Sequence, residues 1–289
     1  MKRLEHDVEA IIAERVGREC ILMPSGRLAL YCALRTFLSP GDALLMSPDT
    51  DDVILFIVLA AGLRPVAAPL SPDDGNIDIG AIPPEAWTRL DGVLTTNLYG
   101  LPDRMAVLRE RCSAAGIPLI EDVAHAIETE VDGRPLGGFG TAAAFSLSKH
   151  VDAYRGGVLA VADAALRPEL ERWRDQWVVG RGVLTRASDA LKPPLRALLG
   201  FLGVAKTIRR VREAAARLQP ERATGHRMEL GADELRRAIA AAPGLDPFER
   251  WVRVDRHDYR MRNAVSDLSR MIERLRRLQV DRERRVEGV

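Results

Sequence analysis

Lys149 is the residue whose type and position most directly suggest chemistry. It lies in AFSLSKHVDAYRGG, residues 144–157, after two serines and before a pair of glycines. Only four of the 42 basic residues are lysines, so arginine is the ordinary cation of this chain. A guanidinium stays protonated, whereas a desolvated lysine amine can lose its proton and attack a carbonyl group. Lys149 is therefore a candidate nucleophile, although composition alone also fits a surface lysine near a turn.

Two other stretches place polar residues where apolar runs end. In MPSGRLALYCAL, Ser25 and Gly26 join an apolar run to a helical pattern, so that backbone N–H groups at the helix start can face an anion. In PLIEDVAHAI, an apolar run ends in Asp122 and His125 follows. A buried carboxylate needs a cationic partner, and the protonated ring nitrogen of a cofactor would be one. Taken singly, these residues also fit an N-cap serine, an ion-paired aspartate and a structural histidine.

The three stretches together indicate one cofactor. An anion cradle, an acid for a ring nitrogen and a lysine able to form an imine are what pyridoxal 5'-phosphate requires. Each stretch follows an apolar run, and open parallel sheets bind ligands at the carboxyl ends of their strands. The sequence therefore predicts a pyridoxal phosphate site at one edge of a sheet.

The elements that would position this site follow from the hydrophobic pattern. Short apolar runs alternate with helical periodicities that begin near Gly26, Asp51, Asp103 and Ala165, which is typical of an α/β fold with a mainly parallel sheet. The predicted strands are Cys20–Met23, Ala43–Met46, Pro65–Pro69, Gly92–Thr96, Pro118–Asp122, Ala142–Leu147 and Val158–Val161.

Composition excludes several classes of protein. The 289 residues are 47% apolar and 29% charged with a formal net charge of +1, which fits a globular protein and gives no indication of a nucleic-acid partner. Cys20, Cys32 and Cys112 are odd in number and widely spaced, so we predict no disulfide framework and a reducing, cytoplasmic location. The N-terminus lacks the continuous apolar core of a signal peptide. No residues are predicted to bind a metal.

The sequence resembles the DegT/DnrJ/StrS type of sugar aminotransferase, a branch of the fold-type I pyridoxal phosphate enzymes. SGRLALYCAL is similar to the family's SGTxAL phosphate turn, and VLTTNLYGLPDRM is similar to its VHLYGxPADM segment. IEDVAHAIETEVDGRPLGGFGTAAAFS is similar to its longer IEDAAQAxGAxYxGxxxGxFGDxxxFS block. The resemblance implies a fold-type I large domain in 1–164, a basic helical insertion or linker in 165–255, and a C-terminal helix in 256–289. The family's small C-terminal domain is expected to be truncated or absent.

The resemblance also assigns roles to individual residues. Lys149 would hold the cofactor as an imine and move the Cα proton of the substrate. Asp122 would hold the proton on the pyridine nitrogen, and His125 would contact the ring or its phenolic oxygen. The other expected cofactor contacts are Ser25, the backbone at Gly26 and Arg27, Ser146 and Ser148.

A further match near the C-terminus implies a homodimer. RHDYRMRNAVSDLSRMIERLRRLQVDRERR resembles the segment with which a neighbouring subunit reaches the cofactor phosphate, so Asp258 and Tyr259 are expected to approach the partner's site. Asp258 stands where the family has an asparagine, and Asp51 stands where it has an aromatic residue that stacks on the cofactor. The helix that follows needs a surface, in the partner or in its own chain, for an apolar stripe of Val265, Leu268, Met271, Ile272 and Leu275.

The function implied by the resemblance is an aminotransferase that moves an amino group from an amino acid, such as glutamate, to a nucleotide-linked keto-sugar. The departures at Asp51 and Asp258 keep open a non-catalytic or regulatory relative that acts as a partner subunit. A pyridoxal phosphate dehydratase or lyase is a third alternative, against which Lys149 argues because the dehydratase relatives carry histidine there. The stretch 191–217 has seven basic residues and one acid, a pattern that fits weak contact with a membrane surface or a helix packed on protein.

Overall fold

The structure, a computed structural model, describes the following parts of the chain: residues 1–150, 155–180, 230–254 and 258–287. Met1–Val178 and Ala232–Val289 form one compact unit, and Val179–Gly231 forms a second. The basic stretch 191–217 lies outside the described residues, so its contact with a membrane surface stays a prediction. None of the described helices combines the length and the apolar character needed to cross a membrane.

In the described residues, seven strands form one mixed sheet and two short strands form a hairpin. The sheet has the order β1-β9-β8-β5-β4-β2-β3, and the hairpin pairs β6 with β7. All neighbours from β8 to β3 are parallel, whereas β9 runs antiparallel to both β8 and β1. The strands are β1 Glu19–Met23, β2 Ala43–Met46, β3 Arg64–Ala67, β4 Gly92–Thr95, β5 Leu119–Asp122, β6 Glu130–Val131, β7 Arg134–Pro135, β8 Ala142–Ser146 and β9 Gly157–Val161.

Helices flank the sheet and follow most of its strands. Short 3-10 turns lie at Ile79–Ala81, Leu98–Gly100, Ala164–Leu166 and Asp246–Phe248. The α-helices are α1 Lys2–Val16, α2 Gly26–Phe37, α3 Asp52–Ala60, α4 Pro84–Trp87, α5 Met105–Ala115, α6 Leu147–His150, α7 Arg167–Trp177, α8 Ala232–Ala240, α9 Glu249–Val252 and α10 Val265–Glu287.

The predicted fold class is confirmed. Each of the seven predicted strands is present, with ends that differ by at most two residues. The central strands β2, β4, β5, β8 and β9 are buried along their whole length, which explains why they are rich in apolar residues and show no alternating pattern. Helix α7 packs against α2 and β1. The predicted division into 1–164, 165–255 and 256–289 stays a prediction.

The apolar stripe of α10 is covered within the chain. Leu268, Met271, Ile272 and Leu275 are each at most 8% exposed, and α10 packs against α1. Val265, which the sequence assigns to the same stripe, is 54% exposed and does not belong to the buried face. Of the two surfaces considered for this stripe, the structure shows the one in the same chain. The stripe therefore gives no support to a dimer.

A buried carboxylate fixes the loop between the hairpin and β8. Glu121 is fully buried in β5 and accepts hydrogen bonds from the backbone N–H groups of Gly137 (2.7 Å), Phe139 (2.8 Å) and Gly140 (2.5 Å). Burial raises the pKa of Glu121, and these N–H groups and the Arg18 guanidinium oppose that rise. Such charge-assisted bonds are stronger than neutral ones. They hold the end of β5, and with it the next residue along the chain, against the rest of the sheet.

Candidate active site

The start of α2 lies directly against the end of β8. A Cβ atom added at Gly26 would lie 3.0 Å from the Ser146 Cβ and 3.2 Å from the Phe145 carbonyl oxygen. A Cβ atom at Gly157 would lie 2.3 Å from the Ser25 carbonyl carbon. Glycine at both positions therefore allows three backbone segments to meet at one edge of the sheet. This is the edge at which the parallel strands end.

Backbone and hydroxyl donors form a cradle for an anion at this point. The Ser25 Oγ caps α2 by accepting a hydrogen bond from the Leu28 N–H at 3.2 Å. The N–H groups of the first helical turn have no carbonyl partner inside the helix, and the helix dipole makes that end electropositive. The Ser146 Oγ lies beside the same turn and is 3.0 Å from the Ser148 Oγ. These groups fit a phosphate, as predicted from the sequence.

The side chain of Arg27 serves a different purpose from its backbone. Its guanidinium donates to the Val252 carbonyl oxygen at 2.8 Å and lies over the Tyr259 ring, 5.3 Å from the centroid. Tyr259 is 3% exposed, and Arg260 lies 5.6 Å from the same ring. The predicted contribution of Tyr259 to a partner's site stays a prediction, because these contacts are all within one chain.

Asp258 is held by the residue that follows Tyr259. Its Oδ1 accepts a hydrogen bond from the Arg260 backbone N–H at 2.8 Å and lies 3.6 Å from the Arg260 Nε. A carboxylate in place of asparagine would repel a nearby phosphate. The Arg260 contacts offset that charge. The predicted approach of Asp258 to a partner's site, like that of Tyr259, stays a prediction.

Asp122 ends β5 as a buried acid. It is 7% exposed, and its Oδ1 accepts a hydrogen bond from the Ala124 N–H at 2.9 Å. Burial raises the pKa of Asp122 to about 6, against the effects of the Ala124 N–H and the Lys149 charge, and the nearby charge of Asp51 raises it further. A buried carboxylate with a raised pKa is suited to a cationic ligand atom, because such an atom would favour its charged form. The protonated ring nitrogen of pyridoxal phosphate is such an atom.

Lys149 and His125 are in direct contact. The Lys149 Nζ lies 2.5 Å from the His125 Nε2, and the Lys149 side chain is exposed. The contact fits a hydrogen bond, because an ammonium group can only donate and a neutral imidazole nitrogen can accept. Together with the charge interaction between Lys149 and Asp122, it shows that the structure brings the three predicted residues into one site. The residues present therefore fit the cofactor predicted from the sequence.

Asp51 offers no substitute for the aromatic residue that stacks on the cofactor ring in the family. It is the N-cap of α3, and its Oδ1 accepts a hydrogen bond from the Val53 N–H at 3.0 Å. Aspartate is among the best N-cap residues, which gives it a local structural role. It also adds negative charge near Asp122.

Asn97 is a residue of the site that was not predicted from the sequence. Asn97 is fully buried after β4, and its Nδ2 donates to the Thr95 Oγ1 at 2.9 Å and to the Asp122 carbonyl oxygen at 3.1 Å. Its Oδ1 accepts a hydrogen bond from the Asp103 N–H at 3.1 Å. Asn97 has φ 45°, a region that asparagine adopts more readily than most residues. The signal was present in TTNLYG, where asparagine follows a buried strand.

The raised pKa of Asp122 predicts how the cofactor-free protein responds to pH. Between the unfolded pKa near 3.8 and the folded pKa of about 6, the folded state binds more protons, so the free energy of unfolding falls as pH rises. The Asp122→Asn variant lacks this titration. Its free energy of unfolding should therefore exceed that of wild type by about 2 kcal/mol more at pH 7.5 than at pH 4.

Urea unfolding of the cofactor-free proteins at several pH values measures this difference. Asp49→Asn, which removes an exposed acid, is the matched control and should show no such trend. A difference between Asp122→Asn and wild type that stays constant from pH 4 to pH 7.5 would contradict the raised pKa.

Comparison with known proteins identifies the family. The family model described as the DegT/DnrJ/EryC1/StrS aminotransferase family matches residues 2–183. The chain belongs to this family. The prediction from the sequence motifs is thereby confirmed, and the mainly parallel sheet agrees with the structures of family members.

The cysteines predicted to be unpaired are buried and free: Cys20, Cys32 and Cys112.

Individual DegT/DnrJ/EryC1/StrS proteins match part of the chain. The UDP-N-acetyl-3-dehydro-alpha-D-glucosamine 3-aminotransferase of Acidithiobacillus ferrooxidans is 30% identical over 178 residues, which are 60% of this chain and 47% of that protein. The pleiotropic regulatory protein of Geobacillus stearothermophilus is 27% identical over 166 residues, 56% of this chain and 44% of that protein. The chain thus spans about half the length of the curated relatives it matches.

A solved structure likewise matches only part of the chain. The structure of DesI in the presence of its TDP-sugar product has a TM-score of 0.52 and 29% sequence identity, covering 60% of this chain and 45% of DesI. Among the described residues, no group of three or more histidine, cysteine, aspartate or glutamate side chains is placed to hold a metal ion.

Proposed function

We propose that this chain binds pyridoxal 5'-phosphate and transfers an amino group from an amino acid, with glutamate as the expected donor, to a nucleotide-linked keto-sugar. The observation that carries the proposal is the contact of Lys149 with His125 beside the buried Asp122, next to the anion cradle at the start of α2. The sugar class is supported by the Acidithiobacillus relative and by DesI, whose names and titles refer to nucleotide-linked sugars.

Lys149, Asp122 and His125 would have distinct tasks when the cofactor is bound. The cofactor supplies an electron sink for the negative charge that develops at the substrate Cα. The Lys149 Nζ would bind the cofactor covalently, be displaced by the donor amine, and then carry the proton to and from the Cα. The Asp122 carboxylate would keep the ring nitrogen protonated. His125 would hold the Lys149 amine by hydrogen bonding.

The phosphate would be held by the cradle. Its donors are the backbone N–H groups of Gly26 and Arg27 and the hydroxyl groups of Ser25, Ser146 and Ser148. Arg27 would contribute its backbone, since its guanidinium is bound to the Val252 carbonyl oxygen and stacks on Tyr259. A cradle built from backbone groups is rigid, which reduces the cost of ordering the ligand.

A regulatory subunit that binds the cofactor without turnover is the second candidate function. Two observations favour it: the match to a protein named as a pleiotropic regulatory protein, and Asp51 in the place of an aromatic that would stack on the cofactor. It predicts cofactor binding through Lys149 without the release of a keto acid.

The donor half-reaction separates the two candidates. Wild-type protein loaded with pyridoxal phosphate is mixed with glutamate, and both the visible absorption and the formation of 2-oxoglutarate are followed. The aminotransferase should release one 2-oxoglutarate per bound cofactor, and a Lys149→Ala variant should release none. Bound cofactor without a keto acid from any of the common amino acids would rule out the aminotransferase and leave the regulatory function.

We also propose a homodimer in the cytoplasm. The resemblance of RHDYRM to a segment that crosses subunits supports the dimer, and the three buried, unpaired cysteines support a reducing compartment. Sedimentation equilibrium should give twice the chain mass of 31.9 kDa. Asp258→Asn, which removes a negative charge at a partly exposed residue, should strengthen cofactor binding if the segment reaches a partner's phosphate. A single-chain mass at micromolar concentration would contradict the dimer.

A further inference from the structure

Tyr99 is an exposed aromatic residue in an unusual backbone conformation. Its side chain is 81% exposed, and it lies in the 3-10 turn Leu98–Gly100 with φ 54° and ψ 21°. Left-handed backbone is rare for a bulky residue. Residues held in such conformations concentrate at binding and catalytic sites, because the surrounding structure must maintain them.

The turn is anchored on both sides. Before it, the buried Asn97 binds the Thr95 hydroxyl and the Asp122 carbonyl oxygen. At its last residue, the Thr129 Oγ1 donates to the Gly100 carbonyl oxygen at 3.0 Å. The exposed ring is therefore carried by a turn whose backbone is fixed to β4, β5 and the segment before the hairpin. The same asparagine amide connects this turn to the acid of the site.

The Tyr99 ring lies next to the histidine that contacts the Lys149 amine. Its centroid lies 6.0 Å from that of His125, with an interplanar angle of 69°, and the His125 Nε2 lies 2.5 Å from the Lys149 Nζ. His125 therefore links the exposed ring to the Lys149 amine, and a ligand that contacts His125 can contact both. Little of the tyrosine surface is used by the protein itself, as its exposure shows.

We propose that Tyr99 is a specificity-determining residue whose ring binds the sugar ring of the acceptor. The proposal rests on the proposed aminotransferase function. The group next to Lys149 must carry the carbonyl that reacts, which in a nucleotide-linked keto-sugar is the hexose and not the base. Aromatic side chains provide large apolar contact surfaces in ligand sites, and the C–H face of a hexose is apolar. The amino acid donor is smaller and offers no such face.

Kinetics of the two half-reactions test this assignment. Tyr99→Ala should leave the donor half-reaction with glutamate unchanged, while the KM for the keto-sugar acceptor rises about five- to tenfold with little change in kcat. Tyr99→Phe and Tyr99→Trp, which retain a ring, should restore an acceptor KM close to that of wild type. Leu101→Ala changes another exposed residue of the same loop and is the matched control. An unchanged acceptor KM in Tyr99→Ala would overturn the proposal.

A binding experiment separates this proposal from the proposed function. In Lys149→Ala protein, calorimetry measures the affinities for UDP-N-acetylglucosamine and for UDP, with and without Tyr99→Ala. The Tyr99 substitution should weaken binding of the sugar nucleotide about fivefold and leave UDP binding unchanged. Equal weakening of UDP-N-acetylglucosamine and UDP binding would overturn the sugar assignment. A Tyr99→Ala protein with an altered oligomeric mass and an unchanged affinity for UDP-N-acetylglucosamine would also overturn it. Wild type that releases no keto acid from any of the common amino acids would refute the aminotransferase function, and the binding result would still decide the role of Tyr99.

Discussion

Lys149→Arg should abolish the visible absorption that the wild-type protein gains on addition of pyridoxal 5'-phosphate. The substitution keeps a positive charge and a similar length, but an arginine guanidinium stays protonated and does not add to an aldehyde. The expected change is the complete loss of the band, because the band depends on a covalent bond to the lysine amine. A spectrum recorded during titration with the cofactor measures it.

The control is a lysine elsewhere on the surface. Lys2→Arg makes the same chemical change at an exposed position of α1 and should leave the spectrum unchanged. Circular dichroism of both variants checks that the fold is retained. A band that survives in Lys149→Arg would assign the covalent bond to another amine. Wild type that stays colourless with excess cofactor would refute the proposed cofactor itself.

The position of Lys149 could be predicted because its surroundings are local in sequence. The apolar run before Lys149 forms β8. The serines and glycines around Lys149 lie within a stretch of 14 residues. Buried parallel strands produce continuous apolar runs, and their carboxyl ends meet at one edge of the sheet. The same reasoning placed Asp122 and His125, with the family resemblance adding their roles.

The contacts of Arg27 could not be predicted, since they join distant parts of the chain. Its backbone belongs to the phosphate turn, as expected, but its guanidinium reaches the Val252 carbonyl oxygen and the Tyr259 ring. Hydrophobic periodicity reports which face of an element is buried and not what covers it. For the same reason, the stripe on α10 was predicted correctly except at Val265, whereas the packing of α10 against α1 was not predicted.

Backbone conformation was the other feature outside the reach of the pattern. Asn97 and Tyr99 both have positive φ, and neither residue type requires it. The conformation follows from the buried amide of Asn97, which binds groups on two strands. Asp51 illustrates the reverse case. An acid at the start of a helical pattern indicates an N-cap, but the resemblance directed attention to the aromatic residue expected there.

Asp122→Asn should reduce the rate of the donor half-reaction by about two to three orders of magnitude while the cofactor still binds. The carboxylate keeps the proton on the ring nitrogen by its negative charge, and a neutral amide cannot do so. The electron sink is then weaker at the moment when negative charge develops at the substrate Cα. Single-turnover absorption changes with saturating glutamate measure the rate. The visible band should persist, since Lys149 is intact.

A purely structural role for Asp122 predicts that Asp122→Asn destabilises the fold and leaves the rate unchanged. A role in the chemistry predicts the opposite on both counts. In the cofactor-free protein, removing a buried carboxylate whose pKa is raised to about 6 should stabilise the fold at neutral pH. A substitution that stabilises the fold and slows the chemistry identifies a group kept for function at a cost in stability. Asp51→Asn is the matched control, because it removes a nearby charge that raises the pKa of Asp122. It should slow the half-reaction far less. A rate for Asp122→Asn within about twofold of wild type, well below the loss expected for a charge acting on the transition state, would remove Asp122 from the active site.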